Sequence, residues 1–426
     1  MTTVAESTLQ ADVTSTAAGP PKSLAGHFVG RKYVQLVLVL GALSAIGPLT
    51  IDMYLPALPR LTAEMQASAP QAQMTITGLL IGLGLGQLVI GPLSDAVGRR
   101  KPLLAGLAGH ALMSLLCVIA PTITVLAVTR TLQGVAGAAV AVVAMAMVRD
   151  LFSGLRAAQL LSRLILVMGV APILAPSLGS GLLEVTSWQG IFVVLAVFAV
   201  LLFVLALLAL PETLPPSRRI SAHPSESLSA YRVLFSDKLF LAMVGVAGLM
   251  FATMFAYIAG SPFILQELYS LSPQQYGLAF GVNAIGLIVM TQVNPVLVKR
   301  YGPVRVLTAA VSVAFIGALI LLAVSVFAIG GLVGLMVPLW FIIASAGLSF
   351  PNAPAIALNR HGESAGTASA LLGSAQFMIG GLTAPLVGAL DDGTAVPMAA
   401  VIVGTTGLAA LLLRMARRGL NSVTYE

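Results

Sequence analysis

Charge is what this chain has least of: 9% of its 426 residues are Asp, Glu, Lys or Arg, against 58% that are hydrophobic. A water-soluble globule of that length cannot clothe its surface with so few charges. A lipid bilayer is the solvent that makes the composition sensible. Cysteine is nearly missing as well. Cys117 stands alone inside an apolar run, which excludes a disulfide framework or a cysteine-based metal site within one chain. Nor is there a metal-ligand cluster, a Gly-rich phosphate loop or a Ser/His/Asp set at membrane depth. These absences disfavour an embedded enzyme and an ATP-driven pump. The first thirty-odd residues, Ser/Thr/Ala-rich with Glu6 and Asp12, lack the basic-then-apolar order of a signal peptide. Residues 1–32 read as a disordered cytoplasmic tail.

What is present is a series of apolar runs near twenty residues long, the length that spans a bilayer as helix. They cover roughly 34–56, 73–93, 102–120, 123–148, 160–183 and 189–210, then 239–261, 275–298, 304–327, 331–352, 365–389 and 395–413. The expectation is an all-α membrane protein of twelve transmembrane helices in two six-helix bundles, 33–212 and 239–416. A polar cytoplasmic linker, 213–238, joins them, and a cytoplasmic tail, 417–426, follows. The net charge of +7 does not indicate nucleic acid, because the basic residues lie in short clusters between apolar runs instead of on one folded face. With both ends inside, every second loop is cytoplasmic. All of the 22 Lys and Arg except Arg60 and Arg130 then fall inside, while Glu64, Glu184, Glu267, Asp391 and Asp392 fall outside. That separation is the positive-inside bias, and a wrong helix count would scramble it.

The halves echo each other. Gly91-Pro-Leu-Ser-Asp-Ala-Val-Gly-Arg-Arg-Lys101 follows the second span and Asn294-Pro-Val-Leu-Val-Lys-Arg-Tyr-Gly-Pro-Val-Arg305 the eighth. The prolines are offset by 203 and the glycines by 204. A duplicated six-helix unit places its binding site at the interface of the halves.

Asp52 is the one acidic residue well inside a span. A carboxylate at a helix centre costs roughly 2.5–3.5 kcal/mol on insertion scales, so its retention points to a proton carrier, the alternative being a side chain snorkelling from the outer end. Arg130 is the one basic residue inside a span. At about 1.5 Å per residue, Asp52 lies roughly 27 Å along span one and Arg130 about 8 Å down span four from the other side. Their depths are comparable and permit pairing, either as a proton switch or as a static ion pair. In the Gly91–Lys101 loop, Gly98 permits the return and Arg99 to Lys101 hold the anionic surface, while Asp95 caps or pairs with a helix end. In span five, Pro172 and Pro176 remove backbone donors, and small residues including Gly179 admit close neighbours. That density suggests a pivot. Gly78, Gly82 and Gly86, like Gly277 and Gly281, read as helix-packing faces. Tyr54, Gln133, Phe251, Phe255, Tyr257, Asn283 and Gln376 are candidates to line a cavity. His110, the one histidine within a span, reads as a hydrogen-bonded structural residue.

These motifs resemble the major facilitator superfamily, and within it the bicyclomycin-resistance-like (Bcr/CflA) exporters. The carriers are Ile51-Asp-Met-Tyr-Leu-Pro-Ala-Leu-Pro59, the Gly91–Lys101 loop, Arg130-Thr-Leu-Gln-Gly134, the Gly169–Gly181 segment, Ser261-Pro-Phe263, Phe280-Gly-Val-Asn-Ala-Ile-Gly286 and Ala365-Gly-Thr-Ala-Ser-Ala-Leu-Leu372. The resemblance spans all twelve runs. It implies two pseudo-symmetric bundles, alternating access and drug:proton antiport in the bacterial plasma membrane. Small-molecule drugs would be the cargo, the lipid bilayer the surroundings and the proton the coupling ion, with no other cofactor or metal and a monomer as the working unit. By position, Asp52 becomes the coupling acid, Arg130 its partner, and the Pro172/Pro176 segment the antiporter motif. Asp95, Arg99 and the Arg149-Asp150 helix end become a cytoplasmic charge-linked latch with Gly91 and Gly98. Two departures stand out. Ala175 and Ser180 occupy positions where the wider pattern favours glycine, and Ser44 stands where some related exporters carry a second acid, so permanently cationic cargo is less expected. Export of an endogenous metabolite uses the same machinery, and a passive facilitator is the alternative of a different class.

Overall fold

The structure, a computed structural model, describes residues 31–152, 154–219, 232–359, 361 and 365–420. The expected tail over 1–30, the middle of the linker (220–231) and the end of the second tail (421–426) lie outside the described residues. Those described form helices and no strand. The twelve long helices are α1 (Arg31–Asp52), α2 (Ala69–Val97), α3 (Arg100–Val118), α4 (Ile123–Leu151), α5 (Gly154–Val185), α6 (Trp188–Ala209), α7 (Lys238–Phe263), α8 (Pro273–Tyr301), α9 (Pro303–Val326), α10 (Gly331–Leu358), α11 (Ala365–Ala389) and α12 (Val396–Leu420). Eleven segments are long and apolar enough to cross a membrane, and the Val170–Val185 stretch of α5 is a shorter apolar helix. The chain is a multi-pass membrane protein.

Span one differs from expectation at its outer end. Helix α1 stops at Asp52, and the chain continues through a 3₁₀ turn (Leu55–Ala57) and a short helix, Leu58–Glu64. Pro56 and Pro59 supply no backbone N–H and disfavour helix in the residue before them. The helix therefore ends where the acid sits.

Packing obeys the duplication. Within the first bundle α2 lies on α4, α3 on α4 and α6, and α1 on α4, α5 and α6. Adding six to each number reproduces the second bundle: α8 on α10, α9 on α10 and α12, and α7 on α10, α11 and α12. The bundles meet along α2–α11 and α5–α8, which exchange under the same operation. Helix starts and stops repeat too. Ser68 and Ser272 form capping boxes with Gln71 and Gln275, and α2 and α8 end at Gly98 (φ +97°) and Gly302 (φ +81°). Each pair is offset by 204. A positive φ is the reason glycine is needed at both ends.

Close helix approach inside the first bundle rests on Gly82 and Gly134. A Cβ at Gly82 would fall on the Thr131 carbonyl of α4, and one at Gly134 on the Leu79 carbonyl of α2. Gly82→Ala is expected to force the helices apart and to destabilise the bundle by about 1–3 kcal/mol, the usual cost of overpacking, read as a lowered unfolding midpoint in detergent. Gly277 and Gly281 also form a helix-packing face, here against the other bundle. They face Ser177, Ser180 and Ile173 of α5, so they lie on the seam between the bundles.

That seam is closed at one end. Among the described residues, five hydrogen bonds join the bundles: Gln73 Nε2 to Ala259 O (3.1 Å), Thr77 Oγ1 to Gly381 O (2.9 Å), Ser180 Oγ to Pro273 O (2.7 Å), Gln266 Nε2 to Pro56 O (3.3 Å) and Gln274 Nε2 to Glu184 Oε1 (2.7 Å). All five lie toward the end away from the basic loops, which the charge bias makes the outer one. Arg60, the lone cation there, is paired with Glu64 at 2.8 Å.

Candidate transport site

Asp52 and Arg130 come to the same depth but do not pair. The Arg130 guanidinium, fully buried, donates from Nη1 and Nη2 to the Thr50 carbonyl (3.1 and 3.2 Å) and from Nη1 to Gln133 Oε1 (2.8 Å). Its carbon lies 4.9 Å from the Tyr54 ring centroid and 5.5 Å from that of Phe192. The expected ion pair is therefore replaced by a helix cap, and the reason is geometric. Thr50 belongs to the last turn of α1, where carbonyls lack intrahelical donors and attract cations. Asp52, two residues on, is about 200° further round the helix, so its side chain faces away from Arg130.

The cap is part of a closed ring of contacts. Gln133 Nε2 donates to Ser114 Oγ (2.7 Å), Ser114 Oγ approaches His110 Nδ1 (3.4 Å) and donates to the His110 carbonyl (2.7 Å), and His110 Nε2 meets Thr50 Oγ1 (3.0 Å). His110 is thus a structural residue of the Arg130 shell, as its isolation suggested. Tyr54 and Gln133 belong to this shell as well, Tyr54 through its ring and through Thr75 (3.1 Å). Thr50, Ser114 and Phe192 went unnoticed in the sequence, since nothing in linear spacing marks a carbonyl, a serine or a phenylalanine 62 residues from Arg130 as its partners.

Asp52 is 4% exposed and has no hydrogen bond or ion pair among the described residues. Its neighbours Met53 and Tyr54 share a buried cluster with Tyr257 and Tyr276 of the second bundle. There the second bundle offers a polar group of its own: Asn283 Nδ2 donates to Tyr257 Oη (3.0 Å), and Ser261 Oγ meets Tyr276 Oη (3.3 Å). Asn283 Oδ1 is buried without a donor. Phe251 and Phe255 meet at a tilt with 4.9 Å between ring centroids, and the cluster extends through Phe350 and Phe377, at 5.7 and 5.2 Å from Phe251. Gln376, half-buried on α11, lies one residue from Phe377. Among the described residues no group of three His, Cys, Asp or Glu is placed to hold a metal ion.

The antiporter-like segment of α5 touches this region directly. A Cβ at Gly179 would fall on the Met53 carbonyl, next to Asp52. Pro176 and Pro172 lie about one and two turns below, inside the helix.

At the basic end, Arg99 ties three elements together. Nη1 is 2.6 Å from Asp95 and donates to Ser94 Oγ (2.7 Å), while Nε is 3.0 Å from Asp150 at the end of α4. Thr213 Oγ1 donates to the same Asp150 oxygen (3.0 Å). Arg149 is exposed, with no partner among the described residues, and a Cβ at Gly91 would meet nothing within 4 Å. The unforeseen member is Glu212. Its oxygens accept from the backbone N–H of Arg99 (2.8 Å), Arg100 (3.2 Å) and Leu214 (3.0 Å), an anion seated at the start of α3. Besides the positive φ of Gly98, a Cβ there would press on the side-chain ends of Glu212 and Arg219. Partial burial works against the Glu212 charge, but the N–H donors of Leu214, Arg99 and Arg100 and the Arg219 cation outweigh it and hold the carboxyl below its ordinary range. The sign follows: its contribution is present above the unfolded value and is lost as pH falls through the lowered folded one. Comparing wild type with Glu212→Ala, the gap in unfolding midpoint should be open at neutral pH and close on strong acidification.

The chain matches the Major Facilitator Superfamily over residues 40–385. It is 36% identical over 402 residues to the uncharacterized MFS-type transporter YdgK of Bacillus subtilis, covering 92% of this chain and 98% of that one. It is 29% identical over 362 residues to a bicyclomycin resistance protein homolog of Haemophilus influenzae (85% and 91%), and 30% identical over 281 residues to the multidrug resistance protein MdtL of Escherichia coli (66% and 71%). Among solved structures it superposes on a D-xylose–proton symporter with TM-score 0.71 at 15% identity, covering 89% of this chain and 97% of that one. The duplicated helical fold, the shared seams and these matches together make the chain a transporter of the Major Facilitator Superfamily, with relatives named for bicyclomycin and multidrug resistance.

Proposed function

We propose that the protein is a proton-coupled antiporter that exports small amphipathic drugs, antibiotics included, across the bacterial plasma membrane by alternating access. The observation that carries this reading is Asp52: a carboxyl 4% exposed, without a hydrogen-bonding partner among the described residues, on the seam where the bundles must part. A buried charge with no partner is costly and a neutral acid much less so, which is the property a reversible proton carrier needs. The names of the resistance relatives favour drugs as cargo. Arg130 serves by holding the end of α1, so that Asp52 is presented to the second bundle. Tyr257, Asn283, Phe251, Phe255 and Gln376 form the facing wall, where the free Asn283 Oδ1 accepts a donor from the cargo. The working unit is a monomer with both termini in the cytoplasm, and the proton is its coupling ion.

The test uses purified protein in vesicles with an imposed pH gradient, reading drug flux and lumenal pH together. Uphill drug movement with matching proton counterflow is expected. Drug movement that leaves lumenal pH untouched would mean a facilitator. Unchanged resistance of expressing cells to a broad drug panel, with and without a protonophore, would point to a metabolite as cargo.

A further inference from the structure

Ser180 departs from the glycine that the wider superfamily pattern favours at its position in α5, and its surroundings show what the hydroxyl adds. Ser180 is 1% exposed. Its Oγ lies 2.7 Å from Pro176 O, one turn back in its own helix, and 2.7 Å from Pro273 O, at the first turn of α8 in the other bundle. A hydroxyl has one proton to donate, so the two acceptors compete for it. Room for the contact comes from Gly277, where a Cβ would sit 3.2 Å from Ser180 Oγ and 3.2 Å from Ser177 Cα. The preceding residue, Gly179, rests on the Met53 backbone beside Asp52. One turn of α5 therefore touches both the end of α1 and the start of α8.

We propose that Ser180 is a gate-positioning residue: its hydroxyl pins the outer ends of α5 and α8 when it donates to Pro273 O, and returns to Pro176 O when the bundles separate. The second acceptor gives the device its value. A side chain bonded only across the seam would lose its acceptor as the bundles begin to part, before water has entered the cleft, and would resist opening by that cost. With Pro176 O always in reach, opening forfeits one crossing bond and leaves no orphaned donor. The α8 acceptor is well placed for this, since the Ser272–Gln275 capping box holds that helix start in position. The α2–α11 seam carries its own crossing bonds, from Gln73 and Thr77, so Ser180 sets the balance of states without being the whole gate.

The experiment measures distance across the outer gate, with no cargo and no pH gradient, so it stands or falls separately from the proton-coupled reading. Spin labels at Val185→Cys and Asp392→Cys, both exposed and one on each bundle, are introduced into a Cys117→Ala background. Ser180→Ala should raise the separated population roughly two- to tenfold, the effect of one net hydrogen bond. Ser345→Ala is the control, because its hydroxyl bonds only Phe341 O of its own helix (2.7 Å), and it should shift nothing. Ser180→Gly provides a second variant and should move the populations the same way. Unchanged distances in both Ser180 variants, or an equal shift in the Ser345 control, would overturn the proposal.

Discussion

Asp52→Asn should abolish uphill transport while leaving the protein folded. One proton entering is worth about 2.3 kcal/mol per 100 mV and about 1.4 kcal/mol per pH unit. At 100 mV and one pH unit the sum sustains a gradient of several hundredfold at one-to-one exchange. The asparagine variant cannot bind and release the proton, so its accumulation ratio should fall to about one while downhill exchange persists. Stability should change little, because the carboxyl makes no hydrogen bond among the described residues and a neutral amide of the same shape is cheaper to bury. Vesicle accumulation assays set beside unfolding midpoints check both halves. Retained uphill accumulation in Asp52→Asn would remove this residue from the coupling step.

Arg130→Ala should differ from it by losing stability as well as transport. It strips donors from the Thr50 carbonyl and Gln133 Oε1, at roughly 1–3 kcal/mol for each acceptor left unpaired. It also removes desolvated cation–ring contacts with Tyr54 and Phe192, worth about 2 kcal/mol. Against that, deleting a buried cation recovers about 2.5–3.5 kcal/mol of insertion cost. The balance is still a net loss of a few kcal/mol. Arg130→Lys should restore only part of it, since an ammonium cannot reproduce the forked donation or lie flat between two rings. A lysine variant equal to wild type in midpoint and turnover would show that charge alone suffices at this position.

The two variants differ because two residues that look like a pair in the sequence turn out to serve different neighbours. Hydropathy and depth put both at one level. They could not say which atoms face each other, since a two-residue step along α1 turns the side chain to the opposite side. The same limit hid Glu212, whose partners at Arg99 and Arg100 lie more than a hundred residues away. It also left the partner of Gly277 and Gly281 open, because a four-residue glycine spacing marks a close-packed face without naming the helix that covers it. Where an expectation rested on one helix end and its repeat, it agreed with the structure, as with the Gly98 return and the 204-residue repeat of glycine stops; of the latch that the family resemblance implied, Arg99 bonds Asp95 and Asp150 while Arg149 stands outside.

The sequence by itself determined the solvent, the number and order of the helices, and the duplication, because span length, mean hydropathy and repeat offset are properties of a line. Tertiary structure alone decided that Arg130 caps α1, that Asp52 is buried without a partner among the described residues, that Glu212 seats α3, and that the seam is closed at the end away from the basic loops. Each of these depends on which side of a helix a residue occupies and on what has been packed against that side by a segment far along the chain.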